Sequence, residues 1–392
     1  MTKTINNEDK KLNFSSEREQ SQACLNSAEH EKNQGRKVLN VPNLRFPEFS
    51  GEWHSFLINE ICSEFKSGKN IKADSISENG EYPVFGGNGL RGYTASYNHE
   101  GLYVLIGRQG ALCGNVRSVN GKTYITEHAI AAAGNEKSNT SFLHYLFLKM
   151  NLGQYSDQSA QPGLAVNKLL KLEVSLPPIS EQKKIAKLLS LLDERIATQN
   201  KIIEDLKKLK SAISENLFKE VKGDVVMLSE ICEISKGKQI NGEFLSEKGK
   251  YYVMNGGTEP SGYYNNYNVE ANTISISEGG NSCGYVQFNT SPFWSGGHCY
   301  TILKIADNVD NLYLYHFLKS KENDIMKLRI GSGLPNIQKK DLAMFKIKIP
   351  TVEQQKAIST FLSTLERKTE IEERTQNSMQ KEKQYLLRQM FI

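Results

Sequence analysis

Six cysteines and seven histidines are the side chains of this 392-residue sequence best suited to metal binding or nucleophilic chemistry. Their spacing argues against both. Cys24, Cys62, Cys113, Cys232, Cys283 and Cys299 form no Cys-x-x-Cys pair, and no histidine stands at zinc-ligand spacing beside two of them. They read as buried, reduced thiols. No nucleophile pairs with His128 or His298, so both read as structural histidines. Gly86-Gly87-Asn88-Gly89 is glycine-rich without phosphate-cradling spacing, and Lys69 and Lys122 lack the upstream glycine of a P-loop. The only adjacent prolines, Pro177-Pro178, lack the Asn-Pro-Pro-Tyr pattern of an amino-methyltransferase. No acidic cluster with a nearby lysine marks a nuclease centre. The sequence therefore predicts no catalytic residue, no metal ligand and no cofactor site in this chain.

Polar residues in glycine-flanked loops suit a different chemistry. Arginine can donate two hydrogen bonds to guanine, and asparagine can bond adenine in the same two-point way. Asn88, Arg91 and Arg108 in the first half of the chain, with Lys238, Asn255 and Thr258 in the second, stand in such loops and are the candidate contacts if the chain binds nucleic acid. Net charge is +5, but residues 41–178 carry 12 basic and 12 acidic side chains, and residues 221–351 carry 14 and 13. A DNA-binding surface therefore has to come from clustering in three dimensions.

The elements that must position these residues occur twice. At an offset of 170, Glu60-Ile61-Cys62 falls on Glu230-Ile231-Cys232, Gly86-Gly87 on Gly256-Gly257, Cys113-Gly114 on Cys283-Gly284, and His128 on His298. After Gly163-Leu164, which falls on Gly333-Leu334, the offset grows to 173, pairing Pro177 with Pro350 and Gln182 with Gln355. A repeat this long means two copies of a whole domain and its tail. Shared residues are mainly glycine, tyrosine and cysteine, whereas Asn88, Arg91 and Arg108 stand opposite Thr258, Ser261 and Glu278. Two readers of different targets would differ in this way, and so would copies that drifted neutrally.

Within each copy, short β-rich runs such as Tyr82–Phe85, Leu102–Ile106 and Thr273–Ser277 are broken by glycine turns, and helical patches follow at Phe142–Met150 and Leu312–Leu318. The fold class is α+β. A long helix follows each domain. Ile185, Leu189, Leu192, Ile196, Ile203, Leu206, Ile213 and Leu217 alternate at four- and three-residue spacing, with Gln199 and Lys210 interrupting the seam. The second helix carries Ile358, Leu362, Leu365, Met379, Leu386 and Met390, with a polar middle at Thr369, Glu372, Gln376 and Lys383. About 40 residues would span roughly 60 Å, and two matched helices most simply pair as an antiparallel coiled coil. The expected organisation is a disordered tail at 1–40, domains at 41–178 and 221–351, and helices at 179–220 and 352–392. No run approaches the roughly 20 apolar residues of a membrane span, and the N-terminus lacks a signal-peptide pattern. These features predict a cytoplasmic protein.

Leu176-Pro177-Pro178-Ile179-Ser180-Glu181-Gln182-Lys183-Lys184-Ile185 resembles the "LPP-x-x-EQ-x-x-I" motif of specificity subunits of type I restriction–modification systems. The second copy, Ile349–Ile358, keeps Gln355 and Ile358 but has Thr351 for the second proline and Gln354 for the glutamate. Val41–Phe49 and Gly331-Ser332-Gly333-Leu334-Pro335-Asn336-Ile337 are also similar to segments of that family. The resemblance covers residues 41–392. It implies two α/β target recognition domains, each reading one half of a bipartite site in double-stranded DNA. It implies helices that set the spacer and dock two modification subunits through Gln182, Ile185, Leu189, Leu192, Ile196, Gln355, Ile358, Leu362 and Leu365. Restriction subunits would join the same assembly, and S-adenosylmethionine, ATP and magnesium would belong to those partner chains. The alternative is a non-catalytic coiled-coil scaffold whose heads bind proteins rather than DNA.

Overall fold

The computed structural model describes residues 40–157, 163–331, 333 and 335–392. The tail expected at 1–40 lies outside them except for Asn40, as do Ser332 and Leu334 of the glycine–proline–asparagine turn. Contacts divide the chain into two compact units, one running to Asp193 and including Lys381–Ile392, the other Glu194–Gln380.

In the first unit, β1 (His54–Leu57) leads through one turn of helix α1 (Ile58–Ile61) into β2 (Cys62–Ser67). Then come β3 (Tyr82–Gly86), β4 (Gly89–Thr94), β5 (His99–Glu100), β6 (Tyr103–Gly107), β7 (Val116–Val119), β8 (Lys122–Ile125) and β9 (Ala129–Gly134). Helices α2 (Thr140–Met150) and α3 (Val166–Leu169) precede β10 (Glu173–Leu176). Two four-stranded sheets, ordered β2-β9-β6-β7 and β4-β3-β8-β5, account for most strands, and β10 closes back on β1 as an antiparallel pair. Strands β6 and β9 are almost wholly apolar because both of their faces are covered. Val104, Ile106, Ile130 and Ala132 face the helices, while Leu105, Ala129 and Ala131 meet Val119 and Ile125 on the other side. Asn139 starts α2 by accepting a hydrogen bond from the Phe142 backbone at 3.1 Å, filling one of the donors that a helix N-terminus leaves open.

The second unit repeats this order. β11 (Asp224–Met227), α5 (Leu228–Ile231), β12 (Glu233–Lys236), β13 (Tyr251–Met254), β14 (Gly262–Tyr264), β15 (Thr273–Ser277), β16 (Val286–Asn289), β17 (Trp294–Ser295) and β18 (Cys299–Leu303) come first. Helices α6 (Asn311–Ser320), α7 (Glu322–Met326) and α8 (Lys339–Ala343) and strand β19 (Lys346–Ile349) follow. Its sheets are ordered β12-β18-β15-β16 and β14-β13-β17, with β11 paired to β19. Asp310 caps α6 as Asn139 caps α2, accepting from the Tyr313 backbone at 2.8 Å.

Two long helices complete the chain, α4 (Ile179–Glu220) and α9 (Val352–Gln389). In the first unit Ile185, Ala186 and Leu189 of α4 pack with Leu386, Leu387 and Met390. In the second, Gln199 donates to a Glu372 carboxylate oxygen at 2.6 Å, Lys207 pairs with Glu373 at 2.6 Å, and Lys210 pairs with Glu366. From Gln199–Glu372 to Lys210–Glu366 the residue numbers rise on one helix and fall on the other, so the helices run antiparallel in the second unit. The polar interruptions of the seam, Gln199 and Lys210, each meet an acidic partner.

Candidate nucleic-acid interface

One backbone frame recurs at the loop end of both units. In the first, the Arg108 backbone N–H donates to His128 O at 2.9 Å, and its carbonyl accepts from the Leu164 N–H at 2.9 Å and the Cys113 thiol at 3.3 Å. In the second, Glu278 N–H donates to His298 O at 2.9 Å, and its carbonyl accepts from Ile337 N–H at 2.8 Å and the Cys283 thiol at 3.0 Å. Three matching hydrogen bonds thus hold two different side chains, one cationic and one anionic, on equivalent backbone. The clamp accounts for the repeated Cys113 and Cys283, whose thiols take part in it, whereas His128 and His298 contribute only their backbone carbonyls.

In the first unit the frame borders a pocket of about 230 Å³ lined by Gly86, Gly87, Asn88, Arg91, Gln109 and His128. Asn88, in the turn between β3 and β4, and Arg91, on β4, therefore line the same pocket. Gly87 has to be glycine, because a Cβ there would lie 2.6 Å from His128 O. Arg108 is half-buried beside them, its guanidinium directed to the Glu127 carbonyl at 3.5 Å. Gln109 and His128 were missed by loop reasoning; the shared His128/His298 offset was the signal available. His128 is not in the core, since its side chain is 46% exposed.

In the second unit Lys238 is exposed, and its backbone is fixed by Ser295 O at 2.8 Å and by the Trp294 indole N–H at 2.9 Å. Asn255 accepts from the His298 N–H at 3.1 Å, so its side-chain oxygen is committed to shaping the loop. Thr258 lies exposed further along that loop. Lys236, Glu278 and His298 form a cluster that the loop analysis did not select. Lys236 Nζ lies 2.6 Å from Glu278 Oε1, and His298 Nδ1 lies 3.6 Å from Glu278 Oε2. Such surfaces of donors and acceptors can bond base edges and phosphates.

The helix residues expected to dock partners are used differently. Gln182, Ile185, Leu189, Gln355 and Leu362 are buried in their own units, and Leu192, Ile196, Ile358 and Leu365 are half-buried. Gln182 accepts from Asn139 N–H at 2.8 Å and donates to Lys137 O at 2.9 Å and Pro177 O at 2.8 Å. Gln355 repeats the pattern on Asp310 N–H at 2.8 Å, Asn308 O at 3.0 Å and Pro350 O at 2.9 Å. These glutamines weld the start of each long helix to the cap of α2 or α6. They are therefore not free to bond a partner.

Burial pushes the Cys62 and Cys232 thiols up to about 12 and Cys299 up to about 11, so at neutral pH all three are protonated packing groups. Among the described residues no group of three or more His, Cys, Asp or Glu side chains could hold a metal ion, and no helix is long and apolar enough to cross a membrane.

The type I restriction modification DNA specificity domain matches residues 50–208 and again 220–381, and the chain belongs to that family. It is 40% identical over 177 residues to the type I restriction enzyme EcoprrI specificity subunit of Escherichia coli, a stretch covering 44% of this chain and 43% of that protein. The match thus spans less than half the length of that relative. The type I restriction enzyme MjaVIII specificity subunit of Methanocaldococcus jannaschii is 26% identical over 288 residues, covering 62% of this chain and 68% of that one. In fold, the chain matches the crystal structure of a type I restriction–modification S subunit from M. genitalium with a TM-score of 0.71 at 21% identity, covering 90% of this chain and 99% of the other.

Proposed function

We propose that this chain is the DNA-sequence-recognition subunit of a type I restriction–modification complex. Each unit reads one half of a bipartite site in double-stranded DNA. The observation that carries the reading is the repeated frame, in which equivalent backbone presents Arg108 in one unit and Glu278 in the other. Two copies of one scaffold with chemically opposite side chains at the same point suit two different half-sites. Phosphate contacts from lysine and arginine would supply affinity, and base-edge contacts would supply specificity.

The chain itself performs no chemistry in this proposal. Methyl transfer from S-adenosylmethionine and ATP- and magnesium-dependent restriction belong to separate modification and restriction subunits. The long helices set the spacer between half-sites and dock two modification subunits. Apolar side chains that the helices leave exposed support docking, among them Leu191 and Leu209 on α4 and Phe361, Ile371 and Tyr385 on α9.

Co-expression with a modification subunit, followed by mapping of methylated adenines in a host lacking them, tests the proposal. A single split motif with two short blocks around a fixed spacer is the expected result. A soluble, stoichiometric complex that neither methylates nor binds duplex DNA would overturn it in favour of a protein-binding scaffold.

A further inference from the structure

The two units hold one histidine in the same frame and surround it differently. In the first, His128 Nδ1 lies 3.1 Å from Gln109 Oε1 and its Nε2 lies 3.1 Å from Glu127 Oε1, so both ring nitrogens face oxygens of their own unit. In the second, His298 Nδ1 faces Glu278 Oε2 at 3.6 Å, and the 63% exposed ring has no recorded partner at Nε2 among the described residues. Glu278 is 7% exposed. Its Oε1 accepts from Lys236 Nζ at 2.6 Å and from the Tyr300 hydroxyl at 3.1 Å, while its Oε2 is buried without a hydrogen-bond partner.

An unpaired buried carboxylate oxygen is costly, and His298 Nδ1, 3.6 Å away, is a ring nitrogen able to donate to it. A neutral imidazole carries its proton on one nitrogen and a lone pair on the other, and the bond made by one nitrogen selects which. We infer that Glu278 holds His298 in the Nδ1–H form, so that His298 Nε2 points outward as an acceptor and reads an exocyclic amino group of a base. In the major groove those donors are adenine N6 and cytosine N4. His298 is then a specificity-determining residue of the second unit, and Glu278 is its positioning residue.

This inference rests on the proposed function and is tested in the same methylation assay. His298→Ala should relax discrimination about tenfold at one adenine or cytosine of one block, leaving the other block unchanged. Glu278→Gln should do something a structural role would not. Its amide oxygen can stay on Lys236 and Tyr300 while its NH₂ donates to His298 Nδ1. That moves the ring proton to Nε2 and shifts the preferred base at that position toward guanine or thymine. Two results would overturn the inference while leaving the proposed function standing. One is an unchanged motif in both variants. The other is uniform loss of methylation across both blocks with a lowered urea midpoint. A wild-type complex with no split motif would remove both readings together.

Discussion

At the scale of single residues, the family motif reads as hydrogen-bond accounting. Gln182 satisfies the Pro177 carbonyl before α4 together with the Lys137 carbonyl and Asn139 N–H before α2, and Gln355 does the same for Pro350 before α9 and Asn308 and Asp310 before α6. Gln182→Ala should cost about 3 kcal/mol of stability, the scale expected when buried polar groups lose their partner. A urea titration showing a loss below about 1 kcal/mol would refute this account. The neighbouring glutamate has a separate cause. Glu181 is fully buried and takes Arg45 in a two-point bond, both contacts at 2.7 Å, tying the 41–49 segment to the helix start. Among the described bonds of the second unit no arginine takes that place, and Gln354 stands there exposed instead. Arg45→Ala should therefore destabilise by about 3 kcal/mol by stranding a buried charge, and adding Glu181→Gln should restore much of the loss. Additive losses in the double variant would show that charge is not the reason.

At the scale of elements, each long helix ends by filling a core. Phe218, near the end of α4, packs on Tyr313 and Phe317 with ring centroids 5.7 and 5.3 Å away. Phe391, just past α9, stacks on Phe142 at 5.0 Å and meets Trp53 at 6.4 Å. Removing such a ring leaves a cavity, so Phe391→Ala should cost about 3–5 kcal/mol, measurable by denaturant unfolding. The outward faces of the helices predict a different phenotype. Leu209→Glu and Phe361→Glu, at positions 51% and 47% exposed, should leave the urea midpoint nearly unchanged but weaken co-purification with a modification subunit. Leu192→Glu should instead lower stability, because that position belongs to the half-buried seam. Identical behaviour of all three variants would contradict this division of the helix surface.

For the whole chain, duplication makes behaviour modular. Exchange of residues 41–178 for the corresponding domain of another family member should change one block of the methylated motif and leave the other intact. A change in both blocks would refute modular reading. Stability should share one pH dependence across the two copies. Burial pushes His144 and His316, one in each unit, down to about 4. Lys383 adds to the shift at His144, while Glu366 opposes it at His316. Both values lie below the roughly 6.5 of an unfolded chain, so the unfolded state takes up protons first as pH falls. The stability supplied by these neutral rings is complete above about pH 6.5 and is lost toward pH 4, by up to about 3 kcal/mol for His316. Urea midpoints should fall between pH 7 and 4.5, and His144→Asn with His316→Asn should flatten that fall.

The sequence by itself determined the duplication, the α+β class, the long helices and the family, because these rest on local periodicity and on residues repeated at a constant offset. Runs such as Thr273–Ser277 and the helix before Met150 form where their patterns place them, since apolar spacing and a capping residue act over a few positions. That Asn88 and Arg91 lie close together was also legible, because one β-hairpin carries both. Other features were decided only by tertiary structure. The motif glutamines read as partner-facing until folding brought the 137–139 and 308–310 segments against them. His298 read as a structural histidine, and only the packing of segments far apart in sequence placed Glu278 and Lys236 together with it at the surface. Hydrogen-bond partners and exposure are properties of long-range packing, and a periodic pattern carries no record of them.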